Sequence, residues 1–121
     1  MLIKNVKIIG ENEITDGFVR TANGKITEVG KTAAREAENE EVIDGNGKYL
    51  SPGFIDLHVH GGGGYSAMGT PEDIVKMATA HMNYGTTSIL PTTLAAPIAQ
   101  LKTALLNIKE AKRICKTSNI L

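Results

Sequence analysis

The most constraining part of the sequence runs from Pro52 to His60 and is followed by four consecutive glycines, Gly61–Gly64. Successive side chains of a strand point to opposite faces, so residues two apart share a face. The alternation here predicts one apolar and one polar face, with Ile55, Leu57 and Val59 on the first and Asp56, His58 and His60 on the second. Such a strand separates a hydrophobic layer from a polar site, and the glycines turn the chain where the polar side chains emerge.

The composition excludes several classes of function. The 121 residues include 13 basic and 13 acidic side chains, so the formal net charge is zero, and there is no Trp. Nucleic-acid binding usually needs a basic patch and stacking aromatic rings, so we expect no nucleic-acid partner. No segment approaches the ~18 apolar residues of a membrane span, and the single cysteine, Cys115, allows no intrachain disulfide. We therefore expect a soluble, cytoplasmic protein without a membrane partner.

The first 50 residues have the pattern of a small all-β region. Residues 2–9 alternate between apolar and polar side chains. Asn23-Gly24 lies between two further alternating segments and predicts a tight β-hairpin, because both residues tolerate positive φ. A charged loop or helical turn is expected over residues 31–41. Two more short strands are predicted over residues 42–44 and 48–50.

From residue 51 onwards, strands alternate with helices, which predicts a parallel sheet. Thr70 as N-cap and Pro71 at the first helical position predict the start of a helix. A strand is predicted over residues 86–90, and the chain ends at what looks like the start of a third strand. The expected apolar faces are Ile74, Ala78, His81 and Met82 on the first helix, and Ile98, Leu101, Leu105, Ile108, Ala111 and Cys115 on a second helix starting near Pro97.

His58 and His60 are the candidate metal ligands. Imidazole is the commonest metal ligand in proteins, and a spacing of two in a strand directs both rings toward one point. Two histidines alone are more often packing or surface residues, but the glycine turn and the β-α-β-α order favour a metal site. A catalytic metal takes about three protein ligands and a water, and the remaining ligands are not apparent in this chain. Asp56 either orients an imidazole or caps a backbone turn, and we favour the cap.

Other polar and reactive residues receive structural interpretations. His81 is expected in the core or at a helix end, facing away from the strand ends. Thr92 and Thr93 either contact a substrate or cap the following helix. The glycine run forms a tight turn beside a substrate, a flexible lid or a plain turn, and it lacks the Gly-Lys-Ser/Thr ending of a phosphate-binding loop. Cys115 is interpreted as a buried helix residue.

The segment from Ser51 to Gly61, preceded by Ile43-Asp44-Gly45, resembles the opening of the amidohydrolase superfamily. Three features resemble the N-acetylglucosamine-6-phosphate deacetylase family within it. They are the glycine run after the second histidine, Tyr84-Gly85-Thr86-Thr87 before the next strand, and Leu90-Pro91-Thr92-Thr93 at that strand's end.

The resemblance implies an α/β fold, the N-terminal part of a (β/α)8 TIM-like barrel preceded by a small β-sandwich region. Residues 1–50 would belong to the sandwich, residues 51–121 would form the first two β-α units, and the barrel would be incomplete in this chain. It also implies a divalent metal ion, zinc or iron, bound by His58 and His60. The substrate would be an amino-sugar phosphate that loses its N-acetyl group, and the intact protein would be a homodimer. The catalytic residues are expected beyond Leu121.

Two other interpretations remain open from the sequence. The chain could belong to another amidohydrolase, dihydroorotase-like or adenine-deaminase-like, in which a different group follows the third strand. Alternatively, it could be a truncated fragment without catalytic activity, because the further ligands and the general base are not found in it. Open sheet edges would then favour pairing with another chain.

Overall fold

The computed structural model describes residues 1–31 and 33–121. The chain is α/β and divides into two compact units, Met1–Pro52 and Gly53–Leu121. The elements in chain order are β1 (Leu2–Ile9), β2 (Ile14–Ala22), β3 (Lys25–Gly30), β4 (Val42–Asp44), β5 (Tyr49–Leu50), β6 (Phe54–Val59), β7 (Gly61–Gly62), β8 (Tyr65–Ser66), α1 (Pro71–Met82), β9 (Thr86–Pro91), α2 (Ile98–Ile114) and β10 (Asn119–Ile120).

The first unit is a single mixed sheet built around β1. The order β3-β2-β1 is antiparallel, and the Asn23-Gly24 turn joins β2 to β3 with φ values of 52° and 71°. This confirms the predicted hairpin, because both residues adopt the left-handed conformation that the turn requires. The loop expected over residues 31–41 includes residue 32, which lies outside the described residues. The described part, residues 33–41, contains no helix or strand.

The two short strands after this loop pair with β1 and not with each other. Both run parallel to it, β4 alongside residues 2–4 and β5 alongside residues 7–8. Between them the chain turns at residues 45–47, where the backbone N–H of Gly47 donates to the carbonyl of Asn5 at 2.7 Å. Asn5 has a φ of 53°, and its side-chain amide donates to Asp44 at 2.9 Å. The edge of β1 is thus covered by two strands placed end to end.

The second unit has a three-stranded parallel sheet in the order β10-β9-β6. The β-α-β-α order and the third strand agree with the sequence prediction, and both helices pack on this sheet. Its core consists of side chains that are almost completely removed from solvent, namely Val59, Ala67, Ile74, Met77, Ala78, Ile89, Ala111 and Ile120. Within the described residues, no helix is long and apolar enough to cross a membrane.

Helix α1 begins as the sequence predicts. The Thr70 hydroxyl accepts a hydrogen bond from the backbone N–H of Asp73 at 3.2 Å. The Asp73 carboxylate in turn accepts from the backbone N–H of Thr70 at 3.3 Å. This reciprocal capping box satisfies two N–H groups that a helix start leaves without intrahelical partners.

Helix α2 starts close to the predicted position, but part of its predicted apolar face is wrong. Ile98 and Leu105 are 68% and 59% exposed, whereas Ala104 and Ala111 are buried. Ile108, Ala111 and Cys115 pack on the core as predicted. Ala104, which was not predicted, is buried as well, and the two alanines are small enough to allow close approach. Hydrophobicity alone favoured the larger side chains, although packing geometry selected the smaller ones.

The predicted faces of β6 are also wrong in part. Val59 is buried in the core, but Ile55 and Leu57 are 62% and 65% exposed. The register explains the difference, because Asp56 pairs with Ile89 and Val59 pairs with Pro91, so β6 carries one extra residue between these pairs. Such a bulge interrupts the alternation of side chains. The predicted apolar face is therefore split between the two sides of the sheet.

Candidate metal site

The bulge in β6 places the two histidines on the open face of the sheet. Asp56 is the register partner of Ile89, which lies in the core, so Asp56 lies on the core face. Regular alternation from Asp56 would put His58 on that same face. The extra residue brings Val59 to the core face instead, and the residues on either side of it, His58 and His60, lie on the other. Asp56 therefore does not share the histidine face, contrary to the prediction.

The two imidazoles converge at the carboxyl end of β6. Their Nε2 atoms are 3.0 Å apart, and their ring centroids lie 4.8 Å apart with the planes at 83°. Both residues are exposed. The sequence prediction that these rings meet at one point agrees with this geometry, since each ring directs the same nitrogen toward its neighbour.

A backbone carbonyl sets the orientation of the second imidazole. The Nδ1 atom of His60 is 2.9 Å from the carbonyl oxygen of Thr92, just beyond the end of β9. A carbonyl can only accept, so Nδ1 carries the proton and donates it. In the neutral ring this leaves Nε2 without a proton, so it accepts the hydrogen bond from Nε2 of His58 across 3.0 Å. An unprotonated ring nitrogen is also the form that binds a metal ion. This contribution of Thr92 was not predicted, because every residue has a backbone carbonyl and the residue type does not indicate which one will contact the ring.

Asp56 has the structural role that we favoured. Its Oδ1 accepts a hydrogen bond from the backbone N–H of His58 at 3.0 Å, within the bulged part of the strand. The carboxylate thereby pairs an N–H that the irregular ladder would otherwise leave without a partner. Asp56 thus stabilises the backbone that presents His58.

The four glycines and the following Tyr65 and Ser66 form a tight hairpin, here called the glycine hairpin, in which β7 pairs with β8. Gly63 and Gly64 lie in its turn, with φ values of 59° and 85°. A Cβ at Gly63 would lie 2.6 Å from the Cβ of Ala80 in α1, and one at Gly62 would lie 2.3 Å from the Nε2 atom of His81. The run is glycine both because the turn needs positive φ and because α1 approaches closely. It is a turn packed on a helix, one of the alternatives left open by the sequence.

The remaining candidates have the following positions. His81 lies in the last turn of α1, as predicted, but its ring contacts the glycine hairpin, with Nε2 3.2 Å from the carbonyl oxygen of Gly61.

The Thr92 hydroxyl donates to the carbonyl of Leu90 at 3.2 Å. It does not cap α2, whose N-cap residue is Pro97. Cys115 is partly buried against the core, and its thiol donates to the carbonyl of Ser118 at 3.2 Å.

The histidine pair fits a divalent metal ion as part of a ligand set. Two nitrogens that each lie about 2.05 Å from a tetrahedral zinc ion are about 3.3 Å apart. The observed separation of 3.0 Å is close to this value. Over residues 1–31 and 33–121, no group of three or more His, Cys, Asp and Glu side chains is placed to hold a metal ion. The chain therefore offers two oriented nitrogen donors at one end of its parallel sheet.

Comparison with known proteins supports the resemblance inferred from the sequence. The chain is 34% identical over 114 residues to N-acetylglucosamine-6-phosphate deacetylase of Bacillus subtilis, which covers 93% of this chain and 29% of that protein. It is 50% identical over 60 residues to dihydroorotase of the same organism, covering 49% of this chain and 14% of that protein. No protein-family model matches the chain.

The fold agrees with the same relationship. The crystal structure of N-acetylglucosamine-6-phosphate deacetylase from Pasteurella multocida superposes with a TM-score of 0.77 at 29% identity, covering 97% of this chain and 31% of that one. The chain thus resembles deacetylase enzymes over nearly its whole length, and it spans less than a third of the length of the relatives it matches.

Proposed function

We propose that this chain supplies the first metal ligands of a divalent-metal-dependent hydrolase that removes the acetyl group of N-acetylglucosamine 6-phosphate. The observation that carries the proposal is the pair of Nε2 atoms, 3.0 Å apart, on His58 and His60. The hydrogen bond from His60 to Thr92 supports it, because it leaves the metal-binding nitrogen without a proton. The similarity to deacetylases along 93% of the chain supports the choice of reaction.

The proposed architecture is the start of a (β/α)8 barrel. Three parallel strands with two helices packed on the sheet support this part of the proposal. The active site of such barrels lies at the carboxyl ends of the strands, which is where His60 and the glycine hairpin follow β6. Residues 1–50 would contribute to a small β-sandwich, and residues 51–121 would form the first two β-α units of the barrel.

The proposed metal ion is zinc or iron, held by His58 and His60 together with ligands from beyond Leu121. Such an ion supplies a Lewis acid that makes water a usable nucleophile near neutral pH. The residues of this chain orient the site. Asp56 fixes the backbone of His58, and the Thr92 carbonyl fixes the tautomer and direction of the His60 ring. Orientation of this kind by outer hydrogen-bonding partners strengthens metal binding.

The proposed reaction is hydrolysis of an amide. The oxygen of water bonds to the acetyl carbon, the carbon–nitrogen bond breaks, and the nitrogen takes up a proton, which gives glucosamine 6-phosphate and acetate. The group that moves this proton is assigned to the part of the protein beyond Leu121. The small-molecule amino-sugar phosphate is the proposed partner, and the intact enzyme is proposed to act as a homodimer in the cytoplasm.

A second candidate is another amidohydrolase activity. The match to a dihydroorotase favours it. That match is shorter, at 60 residues, but its identity of 50% is higher than the 34% of the match to the Bacillus subtilis deacetylase. The two candidates differ in substrate and not in the histidine pair. An intact protein that contains this chain would release acetate from N-acetylglucosamine 6-phosphate under the first candidate, and would instead open a dihydropyrimidine ring under the second.

Titration of the 121-residue chain with Co²⁺, followed by absorption spectroscopy and calorimetry, tests the metal site. We expect one bound ion per chain, and a loss of more than about tenfold in affinity for His58→Ala and for His60→Ala. Asp56→Asn is the matched control in the same strand, because an amide oxygen still accepts from the His58 N–H, and its affinity should stay unchanged. Equal affinities for the wild type and both histidine variants would contradict the proposal.

An assay for acetate release tests the assignment of the catalytic groups. The 121-residue chain alone should bind metal but should not hydrolyse N-acetylglucosamine 6-phosphate, because a catalytic metal needs about three protein ligands. Metal-dependent acetate release by the isolated chain would overturn the assignment of the remaining groups to a region beyond Leu121.

A further inference from the structure

One histidine contacts the backbone next to the metal-ligand pair without belonging to that pair. The Nε2 atom of His81 is 3.2 Å from the carbonyl oxygen of Gly61, so this nitrogen donates the hydrogen bond. The neighbouring glycine gives the imidazole its space, since a Cβ at Gly62 would lie 2.3 Å from the same Nε2 atom. The ring of His81 therefore fills a position that the glycine hairpin leaves open.

This contact is one peptide bond away from a proposed ligand. Gly61 directly follows His60, whose own carbonyl accepts a hydrogen bond from the backbone N–H of Ala67 at 2.8 Å. The ring of His60 is held on its other side by the Thr92 carbonyl. The backbone and the ring of His60 are thus fixed from two different elements, and His81 connects the backbone to α1.

The glycine hairpin depends on such a connection. Glycine has the largest conformational freedom of any residue in the unfolded chain, and it offers no side chain to pack. Of the hairpin side chains, that of Tyr65 contacts α1, with its ring 5.1 Å from the Lys76 ammonium. A hydrogen bond from a partly buried imidazole to the hairpin backbone is therefore an effective way to hold residues 60–62 in one conformation.

We propose that His81 is a positioning residue for the metal site formed by His58 and His60. It holds the Gly61 carbonyl, and so keeps the His60 ring directed toward the nitrogen of His58. This proposal rests on the proposed metal function above. It assigns no contact between His81 and the metal ion or the substrate.

Four variants of the 121-residue chain test the proposal by Co²⁺ affinity. His81→Ala removes the donor and should weaken binding about tenfold, as losing an outer hydrogen-bond partner typically does. His81→Gln keeps an N–H donor of similar reach and should restore binding to within about twofold of the wild type. Gly62→Ala displaces the imidazole while His81 is retained, and it should weaken binding like His81→Ala.

The matched control is Thr79→Ala. This variant removes two hydrogen bonds that do not involve the hairpin. The Thr79 hydroxyl donates to the carbonyl of Val75 at 2.9 Å and lies 3.0 Å from the hydroxyl of Thr117. Urea unfolding should show comparable stability losses for Thr79→Ala and His81→Ala, but only the second should lose cobalt affinity. Failure of the glutamine to restore binding, or equal affinity loss in the control, would show that His81 acts only through general stability.

Nitrogen NMR of the imidazoles supplies a readout that does not need metal. The wild type and His81→Gln should show His60 protonated at Nδ1, while His81→Ala and Gly62→Ala should show a mixture of tautomers. If the wild type binds Co²⁺ and His81→Ala binds it equally well, the positioning role is wrong and the proposed function stands. If the wild type binds no Co²⁺, the proposed function fails, and an unchanged His60 tautomer in His81→Ala and Gly62→Ala then overturns the positioning role as well.

Discussion

His60 donates the proton on its Nδ1 atom to the carbonyl oxygen of Thr92, across 2.9 Å and between the ends of two adjacent parallel strands. The backbone supports this contact, because the N–H of Thr92 donates to the carbonyl of Val59 at 2.7 Å. Two hydrogen bonds in opposite directions thus join the C-terminal end of β6, at Val59 and His60, to Thr92, the residue that follows β9. The acceptor for the His60 ring is thus a backbone carbonyl that is itself held in place by the adjacent strand.

The tautomer of His60 should follow from this contact. In the metal-free chain we expect neutral His60 to be protonated at Nδ1 and not at Nε2, as measured by long-range nitrogen–proton NMR correlation. Thr92→Ala retains the carbonyl and should leave the tautomer unchanged, which separates the backbone role from any role of the hydroxyl. Protonation of His60 at Nε2, or a change of tautomer in Thr92→Ala, would show that the Thr92 carbonyl does not direct the ring.

The hairpin glycines should differ in their tolerance of alanine. Gly63→Ala and Gly64→Ala both place a Cβ at positive φ, which costs about 1–2 kcal/mol in free energy of unfolding. Only Gly63→Ala also clashes, since its Cβ would lie 2.6 Å from that of Ala80, whereas Gly64 faces open space. Urea unfolding should therefore show a larger loss for Gly63→Ala.

A double variant isolates this clash. Ala80→Gly alone should cost about 1 kcal/mol as a glycine in a helix interior. In the Gly63→Ala background, Ala80→Gly removes the methyl group that causes the clash. The double variant should therefore lose less free energy of unfolding than the sum of the losses in the two single variants. Strict additivity would mean that the hairpin does not pack on α1 as described.

Neighbouring residues of β9 should respond differently to truncation. Ile89 is fully buried in the core, while Leu90 is 40% exposed on the opposite face. Ile89→Ala should lower the free energy of unfolding by about 2–5 kcal/mol, as large-to-small changes in cores do. Leu90→Ala serves as the control of similar size and should cost clearly less. Similar losses at the two positions would contradict the assignment of the core to the helix side of the sheet.

The acid sensitivity of the first unit should depend on Glu40. A hydrogen bond from Arg20, with Nε 2.8 Å from the Glu40 carboxylate, lowers the pKa of Glu40 below its usual value. Because the folded-state pKa is lowered, the stabilisation is complete above the unfolded pKa of about 4.3 and is lost as the pH falls through the folded value. Glu40→Gln should therefore show a shallower loss of stability below this pH.

Asp44 provides the internal comparison for that experiment. Hydrogen bonds from the backbone N–H of Asn46 and the Asn5 side chain lower the pKa of Asp44. Its contribution has the same sign and persists in Glu40→Gln, so part of the acid dependence should remain. Urea unfolding between pH 3 and pH 7 at low and high salt measures both effects, and an unchanged slope in Glu40→Gln would contradict the role of the Arg20 contact.

Local sequence signals predicted the features that depend on neighbouring residues. The Asn23-Gly24 hairpin, the capped start of α1 at Thr70 and the meeting of the two histidines were all predicted in this way. In each case the deciding interaction lies within a few residues of the chain. Turn and cap preferences arise from backbone conformation and local hydrogen bonds, and residue type reports both of these directly.

Features that depend on distant contacts were missed. The pairing of β4 and β5 with β1 joins segments that no local pattern connects. The exposure of Ile98 was missed because packing partners, not hydrophobicity, decide which face of α2 is buried. The carbonyl of Thr92 was missed for another reason, since every residue has one and only the fold brings this one to His60.

The extra residue in β6 has a consequence for changes in chain length. β9 carries a compensating extra residue near its start, between Thr86 and Ser88, so the two strands begin and end in register. Deleting Leu57 would remove the bulge and still leave Asp56 opposite Ile89 and Val59 opposite Pro91, with both histidines on the open face. An insertion after the bulge, between His58 and Val59, would instead move Val59 off Pro91. The strand should therefore tolerate loss of the extra residue better than a further insertion.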